Sequence, residues 1–205
     1  GSNDGILTVV GVLFSVAAAT TNNFAIFIAG LADLMACALS MASGEYASVS
    51  SQSDSEKVVV AQEEALLKSD FSGQHLTVEN FYVDRGVTRS TAKAIADELL
   101  TKKPLETMLS IKYDIKLGHY MNPWSAAWAS LFSAAIGGVF PLAALILSPA
   151  RYQFIATIAA TAVAVALTGL LSAKLSNGLV KRAVIRNIII GLLTIAIHYG
   201  IGKLF

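Results

Sequence analysis

Three stretches of the chain, residues 124–147, 152–173 and 184–205, are almost free of charge, and each is longer than the roughly 20 residues a helix needs to cross the hydrocarbon core of a bilayer. Segments of that length and apolarity have few places to go other than lipid, where each backbone polar group must be satisfied within its own helix. Two further apolar stretches open the chain at residues 5–20 and 24–41, parted by the polar turn Thr21-Asn22-Asn23. The pattern predicts an all-α membrane protein with five transmembrane helices. The first span is the shortest, and Gly1-Ser2 reads as a cloning remnant, so we expect the natural chain to begin further upstream. No basic leader precedes the first apolar run, so no cleavable signal peptide is expected.

Composition agrees: 55% of residues are hydrophobic, 14% are charged, and the mean hydropathy is +0.62. These values lie far from those of an ordinary soluble domain. A formal net charge of +1 offers no polyanion-binding surface, so nucleic acid is not expected as a partner. Cys37 is the sole cysteine, which excludes an internal disulfide framework.

Charge is concentrated between the second and third spans. Residues 50–122 hold 9 of the 15 Lys/Arg and 11 of the 14 Asp/Glu, and such a segment belongs in water. Helical periodicity runs through it. Residues 54–68 continue span two, 77–84 form a short helix, 90–100 place Ala92, Ile95, Ala96 and Leu99 on one face, and a last helix starts near Pro104. Asp70-Phe71-Ser72-Gly73 and Arg85-Gly86 read as breaks. The expected organisation is residues 3–49 as transmembrane helices 1 and 2, 50–122 as a small helical insert, and 123–205 as helices 3 to 5. The insert and the loop between spans four and five, with Lys174, Lys181, Arg182 and Arg186, both carry many Lys/Arg and fall on the same side, whereas the opposite loops carry only Arg151. The excess of basic residues places the insert and the N-terminus in the cytosol.

Ionisable groups in the spans are few, and each is a candidate for function because burying one at mid-bilayer costs at least about 2.5–3.5 kcal/mol. Asp4 opens span one, Asp33 lies within span two, and Glu45 sits where span two leaves the membrane. Steps of four residues keep Asp33, Cys37, Met41 and Glu45 near one helix face, with a drift of about 40° per step. Carboxylates neutralise a divalent cation, and soft sulfurs favour a transition metal over magnesium or calcium. A lone Met or Cys in a membrane helix is usually packing, so the weight falls on Asp33. Small residues from Ala29 to Ser48 fit close helix packing, within the chain or across a dimer axis. Gly137-Gly138 and Pro141 would loosen span three or simply pack tightly. His75, His119 and His198 are scattered and form no zinc pattern. With no serine–histidine or paired-histidine arrangement, no enzyme is expected, and no catalytic residue is assigned.

The motifs Asn3-Asp4-Gly5, Gly30-Leu31-Ala32-Asp33, Ala38-Leu39-Ser40-Met41, Gly44-Glu45-Tyr46 and Ser48-Val49-Ser50-Ser51-Gln52-Ser53-Asp54 resemble those of the vacuolar iron transporter family. The resemblance spans the chain and is most specific in spans one and two. It implies a multi-pass protein of a vacuolar-type or bacterial plasma membrane, in a bacterial-type or divergent form. It also implies a homodimer through helices 1 and 2 that serves ion homeostasis by exporting Fe(II), and often Mn(II), from the cytosol by proton antiport. The partners are then the lipid bilayer, metal ions and protons, with no prosthetic group. By the same resemblance Asp4 is an ion and proton carboxylate, Asp33 stands where relatives usually have glutamate, Met41 is the soft ligand and Glu45 lies at the cytosolic mouth. Metal-collecting glutamates of the family's insert match Glu63, Leu66, Gln74 and Thr77 here, so that Glu63, with Glu64 beside it, is what remains of the set. Lys112 stands near another family acid. A glutamate-depleted insert should collect metal weakly. A different class of function, a membrane-anchored dimeric interaction or metal-sensing protein without transport, fits the lost glutamates as well.

Overall fold

The computed structural model describes residues 1–118 and 120–204. His119 and Phe205, the end of the expected fifth span, lie outside the described residues. Helix accounts for 86% of the chain, with no strand among the described residues. In chain order the helices are α1 (Ser2–Ala19), α2 (Asn23–Ser69), α3 (Phe71–Val83), α4 (Arg89–Lys102), α5 (Pro104–Tyr113), α6 (Pro123–Leu147), α7 (Gln153–Leu175) and α8 (Val180–Leu204). Of these, α1, α2, α6, α7 and α8 are long and apolar enough to cross a membrane. The chain divides into two compact units, one formed by Gly1–Tyr46 with Trp124–Phe205 and the other by Ala47–Pro123.

The first unit is built around α1. Its residues Ile6, Val9, Val10 and Leu13 are almost wholly buried, and they pack against Leu34 of α2, Leu142 and Leu145 of α6, Val165 of α7 and Ile195 of α8. Contact with α6 is backbone to backbone: a Cβ on Gly5 would run into the carbonyl of Ala134, and one on Gly137 into that of Ser2. Small residues are what permit this approach in lipid, where dispersion rather than water expulsion holds helices together. Through Pro141 α6 stays helical, and Gly137, Gly138 and Pro141 are all buried, so of the two roles open to these residues tight packing is the one observed. Two buried threonines of α7 satisfy themselves locally: Thr157 Oγ1 donates to the Gln153 carbonyl (2.8 Å) and Thr161 Oγ1 to that of Thr157 (2.7 Å).

Outward faces carry the opposite chemistry from a water-soluble bundle. Ile155 (68% exposed), Leu193 (55%) and Ile197 (58%) point away from the core, and no aqueous fold would present so much aliphatic surface. Lipid is the solvent of these helices. Tyr46 and Trp124 pack ring to ring at 4.8 Å, in keeping with the aromatic belts found at membrane–water interfaces. The turn before α2 is closed by Asn22, whose Oδ1 accepts from the backbone N–H groups of Phe24 (3.0 Å) and Ala25 (3.2 Å).

The second unit has its own core, in which Val78, Ala96, Leu100 and Met108 pack together with Leu67, Tyr82 and Ile111 around them. Here α3 begins at Phe71, six residues before the expected start at 77. The reason is Asp70, whose carboxylate accepts from the Gly73 N–H at 3.0 Å and caps the helix; the expected break is present at Asp70, between the end of α2 at Ser69 and the start of α3, and is one residue long. Gly86 does form a break, with φ 90. Pro104 occupies the first turn of α5, as expected.

Candidate functional site

In the first unit, α1 and α2 enclose an open groove of ≈ 390 Å³ whose walls include Asp4 and Thr8 from α1 and Asp33, Cys37, Ser40 and Met41 from α2. The groove follows from the two helical periods. Asp4 and Thr8 are one turn apart, and α2 runs without interruption through the four-residue steps from 33 to 41. Two carboxylates, a thiol, a thioether and two hydroxyls therefore share one space between helices that are otherwise apolar.

Asp33 is the unusual member. Its Oδ2 is buried and has no hydrogen-bond partner among the described residues. Leaving such an acceptor unmade costs about 1–3 kcal/mol, more for a charged group, so the atom calls for a partner such as water or an ion. Asp4 is the open member, with a side chain 60% exposed and Oδ2 3.3 Å from the Gly1 amino group. Glu45, one further step along α2, is exposed and does not line the groove. Among the described residues no three His, Cys, Asp or Glu side chains gather closely enough to hold a metal ion.

The two histidines within the described residues are engaged elsewhere. His75 Nε2 lies 2.7 Å from Asp97 Oδ1 in the second unit. On α8, His198 fits against Gly11, and its carbonyl accepts from Ser15 Oγ at 2.9 Å.

Glu63 and Glu64 are placed very differently from each other. Glu64 is exposed. Glu63 is 0% exposed and fully bonded. Lys112 Nζ donates to both of its oxygens at 3.0 Å and to Gln74 Oε1 at 2.7 Å, while the Tyr113 hydroxyl donates to Glu63 Oε1 at 3.0 Å. The hydrogen bond to Glu63 is the largest cause, ahead of burial, that holds the Tyr113 phenol above its ordinary pKa. Leu66 is exposed and Thr77 bonds back to the Gly73 carbonyl, so of the four aligned insert positions only Glu63 and Gln74 come together. Sequence reasoning had not grouped Thr8 and Ser40 with the acidic residues. Their signal was present, since each lies at a helical step from a residue already singled out.

Comparison with known proteins is consistent along the whole chain. The VIT family model matches residues 1–203. The chain is 30% identical over 205 residues to a protein named vacuolar iron transporter from Acanthamoeba castellanii, covering 100% of this chain and 76% of that protein. It is 31% identical over 206 residues to vacuolar iron transporter homolog 1 of Oryza sativa subsp. japonica, covering 71% of it. With vacuolar iron transporter homolog 2.1 of Arabidopsis thaliana the identity is 24% over 204 residues, 77% of that protein.

Proposed function

Because the chain belongs to the VIT family, we propose that it carries a divalent transition-metal ion, Fe(II) or Mn(II), out of the cytosol in exchange for protons. The observation that carries this proposal is the unpartnered, buried Oδ2 of Asp33 in a groove shared with Asp4, Cys37 and Met41. A dication is a natural complement to a carboxylate oxygen that no donor reaches. The sulfurs of Cys37 and Met41 bias the groove toward softer ions and against magnesium and calcium.

In the proposed cycle the ion sheds water near the exposed Glu45, then binds Asp33 and Met41 together with Asp4. It leaves on the far side as the carboxylates take up protons. Coupling arises because one carboxylate oxygen cannot hold a proton and a metal ion at once, so each promotes the other's release. The insert and the N-terminus face the cytosol in this scheme, the side that the Lys/Arg of the insert and of the loop before α8 favour.

A second copy completes the site. The outer face of α2 exposes Ala32, Ala36, Ser40 and Gly44 beside Met35 (55% exposed) and Leu39 (56%). Such small residues invite close approach by another helix. A homodimer through α1 and α2 would bring two sets of Asp4, Asp33 and Met41 to one axis and supply the ligands that one chain lacks.

The test is flux of Fe(II), Mn(II), Co(II) and Zn(II) into proteoliposomes with and without a pH gradient. Transition-metal flux that rises with the gradient and disappears in both Asp4→Ala and Asp33→Ala supports the proposal. Absence of flux in the wild-type protein would instead favour a membrane-anchored interaction or metal-sensing role.

A further inference from the structure

We infer that the buried polar centre of the second unit is a cation site whose occupant is the chain's own Lys112 ammonium, so that this unit takes up no metal ion at Glu63 and holds its fold without one. The inference concerns a different site from the groove of α1 and α2 and does not depend on transport.

Three oxygens, both of Glu63 and Oε1 of Gln74, converge on Lys112 Nζ at 2.7–3.0 Å. The two Glu63 oxygens lie on one side of the ammonium and share a donor, and Gln74 Oε1 takes another, so the ammonium is held from two helices. The distances are those of charge-assisted N–H···O bonds and exceed the roughly 2.0–2.2 Å of bonds from oxygen to a small divalent ion. Charge balances as well: one buried carboxylate faces one ammonium. The nearby acids do not upset this, because Glu64 is exposed and Glu79 is bonded to Arg89 at 3.0 Å. A divalent ion entering beside Lys112 would leave the centre strongly positive, and like charges exclude each other where solvent is scarce.

Tyr113, itself exposed, adds a further donor to Glu63 Oε1 at 3.0 Å. Lys112 and Tyr113 on α5 thereby reach Glu63 on α2, and Lys112 also reaches Gln74 on α3. Three helices meet on one ammonium, which does mechanically what a bound ion would do, with the cation attached covalently and independent of metal supply. Removing Lys112 would leave the fully buried Glu63 carboxylate stranded.

The experiment uses the full chain in detergent with Mn(II) alone as the metal probe, counted by electron paramagnetic resonance of the free ion. Wild type is compared with the doubly neutral variant Glu63→Gln/Lys112→Met, which removes both charges together and leaves the α1–α2 groove unaltered, so any ion bound there cancels in the difference. Equal Mn(II) counts are expected. One additional ion per chain in the wild type would overturn the inference, and this comparison decides even if a single variant fails to fold. In Lys112→Ala, hydrogen–deuterium exchange of α3 and α5 should accelerate at least tenfold and be slowed again by millimolar butylammonium, a cation shaped like the missing side chain, while the wild type does not respond. Unchanged exchange in Lys112→Ala would also overturn it, since the ammonium would then be holding nothing.

Discussion

Replacing Asp33 by alanine separates a functional carboxylate from a structural one, because the two predict opposite signs for stability. The substitution removes a buried oxygen that lacks a partner, which relieves about 1–3 kcal/mol. It also removes the side chain's dispersion contacts with the groove wall it shares with Thr8, which offsets about 1 kcal/mol of that gain. No closed cavity is left behind, because the side chain faces an open groove, and alanine is the best helix former. The sum is a variant as stable as the wild type or more so, by about 0–2 kcal/mol, which corresponds to a melting temperature higher by up to several degrees for a chain of this size. Transport should vanish at the same time. The assay is a thermal melt in detergent monitored by helical circular dichroism, paired with dye-reported Mn(II) uptake by proteoliposomes from the same preparation. A variant that melts well below the wild type and still transports would refute the reasoning, for it would make Asp33 a packing residue whose orphaned oxygen had been satisfied all along.

Other consequences follow from neighbouring residues. Met41→Leu, with nearly the same volume and no sulfur, should reduce flux of Fe(II) and Co(II) relative to Mn(II), and Cys37→Ser should act in the same direction, both read as ratios in competition uptake. Gly5→Ala drives a methyl group into the Ala134 carbonyl and should destabilise the membrane unit by about 1–3 kcal/mol in a melt, whereas Gly44→Ala meets nothing within its own chain and should leave a monomer unaffected. Loss of dimer cross-linking in Gly44→Ala would then report on the partner helix. For Tyr113 the sign follows from linkage: its folded pKa is raised, so its contribution is complete below the ordinary value of about 10 and is lost as pH rises through the higher folded value. Stability of the second unit, read by hydrogen exchange, should therefore fall above about pH 10, and less steeply in Tyr113→Phe.

What could be read from the sequence tracks how local the responsible physics is. Bilayer thickness fixes the length of a span, so apolar run length located all five membrane helices, and the errors fall where polar residues were mistaken for loop. The fifth span was expected from residue 184, yet α8 begins at Val180, because Lys181 and Arg182 form its first turn rather than ending the preceding loop. The break expected around Asp70 is there but shorter than composition suggested, because an Asp three residues before Gly73 also caps the helix that follows.

The α1–α2 groove was half legible for a related reason. Four-residue steps along one helix put Asp33, Cys37 and Met41 in line, and that much is arithmetic, but nothing in spacing says which face of α1 meets them, so Thr8 emerged only from packing. The Glu63 centre was least legible. Lys112 is 49 positions from Glu63 and 38 from Gln74, and no periodicity connects a helix to partners so distant. Sequence could register acids missing from the insert and a lysine near one of their places, but whether that lysine dangles in water or fills the space of an ion depends on burial. A fully exposed Lys112 would have meant a site in decay. Its contacts with oxygens of the buried Glu63 and Gln74 place it instead where the proposed occupant of that centre belongs, and only packing, not spacing, puts it there.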